Sequence, residues 1–143
     1  MKPKAAVLAG QGAALVAPPK RRVFPGHPRQ AAHARRFVAS ALDGCPASET
    51  AVLLTSELVT NALAHTPSGD GGSFEVIVWL GASAVCIAVL DAGSASTPLV
   101  GDSDPDTESG RGLGLIAMLA ESWGHEGGPA GRVVWFLLRW HEE

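Results

Sequence analysis

The sequence has no apolar run long enough to span a bilayer, which takes about 20 residues. Its nearest approach, Ala5 to Ala17, is interrupted by Gly10, Gln11 and Gly12. That stretch follows Lys2 and Lys4 as a secretory leader would, but it runs straight into Pro18-Pro19. An Ala/Gly-rich extension without fixed structure is therefore expected over residues 1–20, not a cleaved leader. Cysteine is scarce too. Cys45 sits in a Gly-Cys-Pro turn and Cys86 in an apolar strand, and neither has partners at metal-ligand spacing. Two reduced thiols are expected and a zinc site is excluded.

Acid is missing altogether from residues 1–42, which carry eight Lys/Arg; residues 43–143 carry three Lys/Arg and all fourteen Asp/Glu. The net charge of -3 thus hides a basic arm joined to an acidic body. A nucleic-acid arm would interleave aromatic stacking platforms with its cations, and none is present. The expectation is a solvated tail plus one face of a first helix, with a surface for an acidic protein as the middle reading. Direct nucleic-acid and membrane partners are not expected, and a cytoplasmic location is. Several chemistries are also missing. There is no G-x-S-x-G elbow, and the five histidines show no metal spacing. Asp102, Asp104, Asp106 and Glu108 alternate like a calcium loop, but Thr107 stands where that loop needs Gly and Leu113 where it needs Glu. A solvated acidic loop is the better reading.

The 143 residues fit one core of ordinary size, and 46% of them are hydrophobic. Arg21–Phe24 reads as a short strand ending at Pro25. Gln30–Leu42 is helical, with Ala34, Phe37, Val38 and Ala41 in phase. Asp43-Gly-Cys-Pro46 breaks it. Ser48 caps a second helix from Glu49 to His65, stopped by Pro67 and Gly69. Phe74–Leu80 and Val85–Leu90 are strands joined by a hairpin at Gly81-Ala-Ser83. Residues 92–112 read as a long loop, whose place between Asp91 and a glycine cluster suggests a lid. Leu113–Glu121 is a helix, a Gly-rich turn follows, and Arg132–Trp140 is a last strand.

Three short patterns carry chemistry. In the second helix Glu57, Asn61 and His65 fall at i, i+4 and i+8 on one stripe, beside Leu54, Leu58 and Ala62, which can bury. Glu57 can act as a general base, and the Asn61 carbonyl is a hard neutral ligand suited to Mg²⁺. The plainer reading is a polar stripe facing water. Gly110, Gly112 and Gly114 alternate just before an apolar helix, so that backbone N–H groups and a helix N-terminus can meet phosphate oxygens. No Gly-Lys-Ser/Thr follows, so this is not a Walker A loop, and the spacing and the preceding loop differ from the dinucleotide fingerprint. Taken alone it can be a mere turn. Asp91 ends an apolar strand before Ala92-Gly93. A carboxylate there can accept from the exocyclic amine of adenine and reject guanine, or simply form an Asx turn.

Taken together, these patterns resemble the GHKL, or Bergerat-fold, ATPases over about residues 21–140. Within them the chain is most similar to the bacterial anti-sigma-factor serine/threonine kinases of actinobacterial type, whose Phe-Pro before an Arg/Ala-rich helix is matched by Phe24-Pro25. Glu57…Asn61 matches the N box, Asp91-Ala-Gly93 the first glycine box, and Gly110-Arg-Gly-Leu-Gly114-Leu the second. The resemblance implies an α+β fold: a two-layer sandwich with a mixed, mainly antiparallel sheet and helices on one face, spanning residues 21–143 as one ATP-binding domain. It implies ATP and Mg²⁺, Glu57 as catalytic base, Asn61 as metal ligand and Asp91 as adenine reader. Gly93, Gly110, Arg111, Gly112, Leu113 and Gly114 would line the nucleotide, with Arg111 able to reach the terminal phosphate. The partners implied are a sigma factor or an anti-anti-sigma protein, and a homodimer is possible. The activity implied is phosphoryl transfer to a Ser or Thr of such a partner; the alternative is an ATP-gated module that sequesters its partner. The ATPase half of a histidine kinase fits less well, since no phospho-accepting helix pair is recognisable. Two positions depart from the family pattern. Ala95 replaces the second glycine of the first box, and Gly131-Arg132 occupies the place of a Thr that often helps to bind adenine.

Overall fold

The computed structural model describes residues 17–65, 72–91, 108–128 and 131–141. They form β1 (Lys20–Pro25), α1 (Gln30–Ala41), α2 (Ser48–His65), β2 (Ser73–Leu80), β3 (Ala84–Asp91), α3 (Glu108–Leu119), β4 (Ser122–Gly128) and β5 (Gly131–Arg139). The strands make one sheet in the order β1-β2-β3-β5-β4, and all four pairings are antiparallel. This is the mainly antiparallel α+β architecture that the sequence predicts.

Alternation along the strands divides the side chains between two faces. Val76 and Val78 of β2, Val85, Ile87 and Val89 of β3, and Val134, Phe136 and Leu138 of β5 share one core cluster with Ala34 and Val38 of α1, Leu54, Leu58 and Ala62 of α2, and Ile116 of α3. All three helices therefore pack on one face. The in-between strand residues, Ile77, Trp79, Ala84, Cys86, Ala88, Val133 and Leu137, make a second cluster on the opposite face from strand residues alone. At the β1 edge Phe24 lies opposite Phe74, their rings stacked at 5.2 Å, and Phe37 of α1 meets Phe24 edge-on at 6.0 Å. On the solvent side of the same edge Arg21 donates to both carboxylate oxygens of Glu75, at 2.8 and 3.0 Å. The basic residues of this region are thus partly used within the fold, with Arg35 also donating to Ser56 across α1 and α2.

Two elements differ from expectation. The third helix begins at Glu108, not at Leu113, so Gly110, Gly112 and Gly114 lie inside its first turns. Glycine disfavours a helix by about 1 kcal/mol per residue, but α3 packs against α2, and that tertiary contact overrides local propensity. Ser122–Gly128, read from its glycines as a turn, is an edge strand paired to β5. Lys20, placed by the sequence in the tail over residues 1–20, opens β1, and residues 1–16 lie outside the described residues. Most of the loop expected over 92–112 lies outside the described residues.

Gly127 has φ +95 and faces Arg132 in the β4–β5 register; a Cβ there would collide with the Gly131 carbonyl oxygen and lie 3.0 Å from the Arg132 Cα. Gly44 has φ +80 but open space around it. Gly44→Ala therefore carries only the left-handed backbone penalty, about 1–2 kcal/mol, while Gly127→Ala adds a backbone collision to it. Thermal unfolding should show Gly127→Ala lowering Tm by about 5 °C or more and by more than Gly44→Ala. Equal melting temperatures for Gly127→Ala and the parent would contradict this hairpin geometry.

Candidate functional site

The site is built around the middle of α2. Leu54, Leu58 and Ala62 are buried against the sheet, as their spacing predicts, and Thr55 turns its hydroxyl back onto the Ala51 carbonyl at 2.7 Å. Asn61 is buried with them, at 4% exposure, and its Nδ2 has no hydrogen-bond partner. Glu57, one turn earlier, is half-buried. The reading of a polar stripe facing water therefore fails at Asn61. A buried amide left unpaired costs about 1–3 kcal/mol, and folded proteins carry few of them. The amide's two ends exchange by a half-turn of its terminal torsion. One end is a donor for a phosphate oxygen, and the other is a hard carbonyl ligand for Mg²⁺. Asn61 fits both groups that the sequence implies. The side chain of His65, third on that stripe, lies outside the described residues.

Asp91 is the last residue of β3 and lies directly opposite Arg132 of β5. Asp91 follows Val85, Ile87 and Val89 in phase, and Arg132 precedes Val134, Phe136 and Leu138 in phase, so both project to the helix-bearing side of the sheet. Arg132 donates from Nε at 3.2 Å and from Nη2 at 3.1 Å, both to Asp91 Oδ2. The side chains are 3% and 2% exposed, so this is a desolvated ion pair. The pair lines an open cavity of about 310 Å³ with Leu90, Glu126, Gly127, Gly131 and Val133, within the size range of ligand clefts; Leu90 and Val133 belong to the sheet face opposite the helices. Residues of α2 do not line that cavity. Ala62 of α2 belongs to the same core cluster as Val89 and Val134.

Gly110, Arg111, Gly112 and Leu113 lie in the first turns of α3, and their side chains fall outside the described residues. A Cβ on Gly114 would meet nothing within 4 Å, so packing does not demand glycine there. Gly93 and Ala95 lie outside the described residues. Sequence reasoning noted Arg132 only as a departure and gave it no role. Its signal was the alternation of β5: a cation in phase with three buried apolar residues needs a buried partner.

A histidine kinase-like ATPase domain model matches residues 24–138, and the chain belongs to that family. The Bergerat-type sandwich and its ATP-binding class follow from that membership. No curated protein sequence matches the chain.

Asn61 carries a buried donor without a partner, at a cost in stability. Asn61→Leu removes the orphaned donor, worth about 1–3 kcal/mol, but adds bulk that costs about 1–3 kcal/mol in a packed core, so nucleotide-free protein should be about as stable as the parent in chemical denaturation. A loss beyond about 3 kcal/mol, more than overpacking costs, would mean that the amide has a structural partner.

Proposed function

We propose that this chain is an ATP-dependent regulatory kinase that moves the γ-phosphate of ATP to a Ser or Thr hydroxyl of a partner protein of the anti-anti-sigma class, and that it acts in the cytoplasm. The observation that carries the reading is the buried, unpartnered amide of Asn61 one helical turn from the half-buried carboxylate of Glu57. Family membership supports ATP as the nucleotide. No helix among the described residues is long and apolar enough to cross a membrane.

In this reading Glu57 accepts the proton of the incoming hydroxyl, whose oxygen bonds to the γ-phosphorus as the bond to the β–γ bridging oxygen breaks and ADP leaves. Asn61 would hold the metal, and Asp91 would read the adenine amine. Mg²⁺, when bound, supplies neutralisation of the charge on the β- and γ-phosphates. Backbone donors at the start of α3 would meet the phosphates, and Arg111 would reach the terminal one. The rest of the work is positioning, and a helix held by a buried stripe positions better than a loop would.

A base acts in the chemical step and not in ground-state binding. Glu57→Gln should keep Mg·ATP affinity near the parent's and lower phosphate transfer by at least about a hundredfold. The check is calorimetry beside incubation with γ-labelled ATP and candidate Ser/Thr-bearing partners. A parent protein that binds ATP and a partner yet never labels it would leave an ATP-gated sequestering module.

A further inference from the structure

We infer that the apolar N-terminal segment, residues 5–16, docks on the face of the sheet opposite the helices. Ile77 and Trp79 of β2, Ala84, Cys86 and Ala88 of β3, and Val133 and Leu137 of β5 make that face, and the described apolar residues around them, Leu90 and Trp135, also lie on strands. An antiparallel sheet with helices on one side commonly leaves its other side in water. Here β3 is buried at six successive positions, Ala84 to Val89. Large neighbours can hide Ala84, Cys86 and Ala88. They cannot hide each other's outward ends, yet Trp79 is 4% exposed and Ile77 2%. The core residues of α1, α2 and α3 pack on the other face, so the cover comes from residues outside the described ones.

Two long stretches lie outside the described residues, 1–16 and 92–107. Residues 92–107 carry Asp102, Asp104 and Asp106, with Leu99 and Val100 as their large apolar residues. Three carboxylates make a poor layer over an indole and an isoleucine, because a buried charge without a partner is costly. Residues 5–16 carry no charge: Ala5-Ala-Val-Leu-Ala9 and Ala13-Ala-Leu-Val16 flank Gly10-Gln-Gly12. The segment leads into β1 at Lys20, and β1 is the strand beside β2. Neighbouring strands lie about 4.8 Å apart, so β5 is three spacings, about 15 Å, from β1. Extended chain covers about 3.3 Å per residue, so about five residues cross that distance and twelve are at hand. A second copy of the chain is a poorer occupant, because Trp79 and Ile77 are already covered within one chain.

The experiment is nuclear Overhauser spectroscopy on the full chain with labelled Leu, Val and Ile methyls. The Leu8 and Leu15 methyls should show contacts to the Trp79 ring and the Ile77 methyls. An isotope-filtered spectrum of mixed labelled and unlabelled copies should show none of these contacts. Deleting residues 2–16 should raise binding of the apolar dye ANS severalfold while circular dichroism shows the fold retained. Leu8→Asp combined with Leu15→Asp in the full chain should raise it as well. The parent spectrum needs no variant, so it decides the matter even if the deletion fails to fold. No contact of Leu8 or Leu15 with this face, or contacts from Leu99 or Val100 in their place, would overturn the inference. Contacts found only between copies would overturn it too, by making the face an interface between two chains. An unchanged dye signal from the folded deletion would do the same. None of these readouts involves nucleotide, so the ATP reading stands or falls separately.

Discussion

The antiparallel pairing of β3 with β5 is the contact on which the rest depends. It joins strands separated in sequence by α3 and β4, and it makes β3 an interior strand with β2 on its other side. Its register runs from Ala84 opposite Arg139 to Asp91 opposite Arg132. A slip of one residue would send Val85, Ile87 and Val89 to the wrong face and would part the two charges. The same register that builds the helix-side core therefore places the ion pair at its end. The charges in turn make a slip costly, because each would be buried without the other.

On the other layer α2 divides its labour by phase. Leu54, Leu58 and Ala62 hold it to the sheet, and the adjacent stripe carries Glu57 and Asn61. Asn61 carries a buried donor with no partner, a cost that an apolar residue there would not carry. Gly114 makes a milder version of the same point, because alanine would fit there and would suit a helix better. Both positions lie on helices in contact with one another, so the concessions fall together on one side of the molecule.

How much of this was legible from the sequence depended on how local the signal was. The stripe of α2 was legible because helical phase is a property of neighbouring residues, and β2 and β3 were legible from their continuous apolar runs. β4 was not, because Ser122-Trp-Gly-His-Glu-Gly-Gly128 has little strand propensity and is held as an edge by β5. The start of α3 was not legible either, since the glycines argued against a helix that packing on α2 supplies. Asp91 was singled out by its place at a strand end. Its partner stands 41 residues away in the chain, a relation that only the β3–β5 register reveals. Gly93 and the side chains of Gly110 to Leu113 fall outside the described residues, so their part in the site rests on the motif alone.

The central claim is that Asn61 on α2 and the Asp91–Arg132 pair on the sheet serve one nucleotide. Titration of Mg·ATP into ¹⁵N-labelled protein, followed through the Asn61 side-chain amide and the Arg132 Nε–H resonances, tests it most directly. The account predicts that both signals shift along one saturation curve with a single dissociation constant. Shifts confined to one of them, or to residues around the separate groove of Pro28, Ala31 and Leu63, would contradict it.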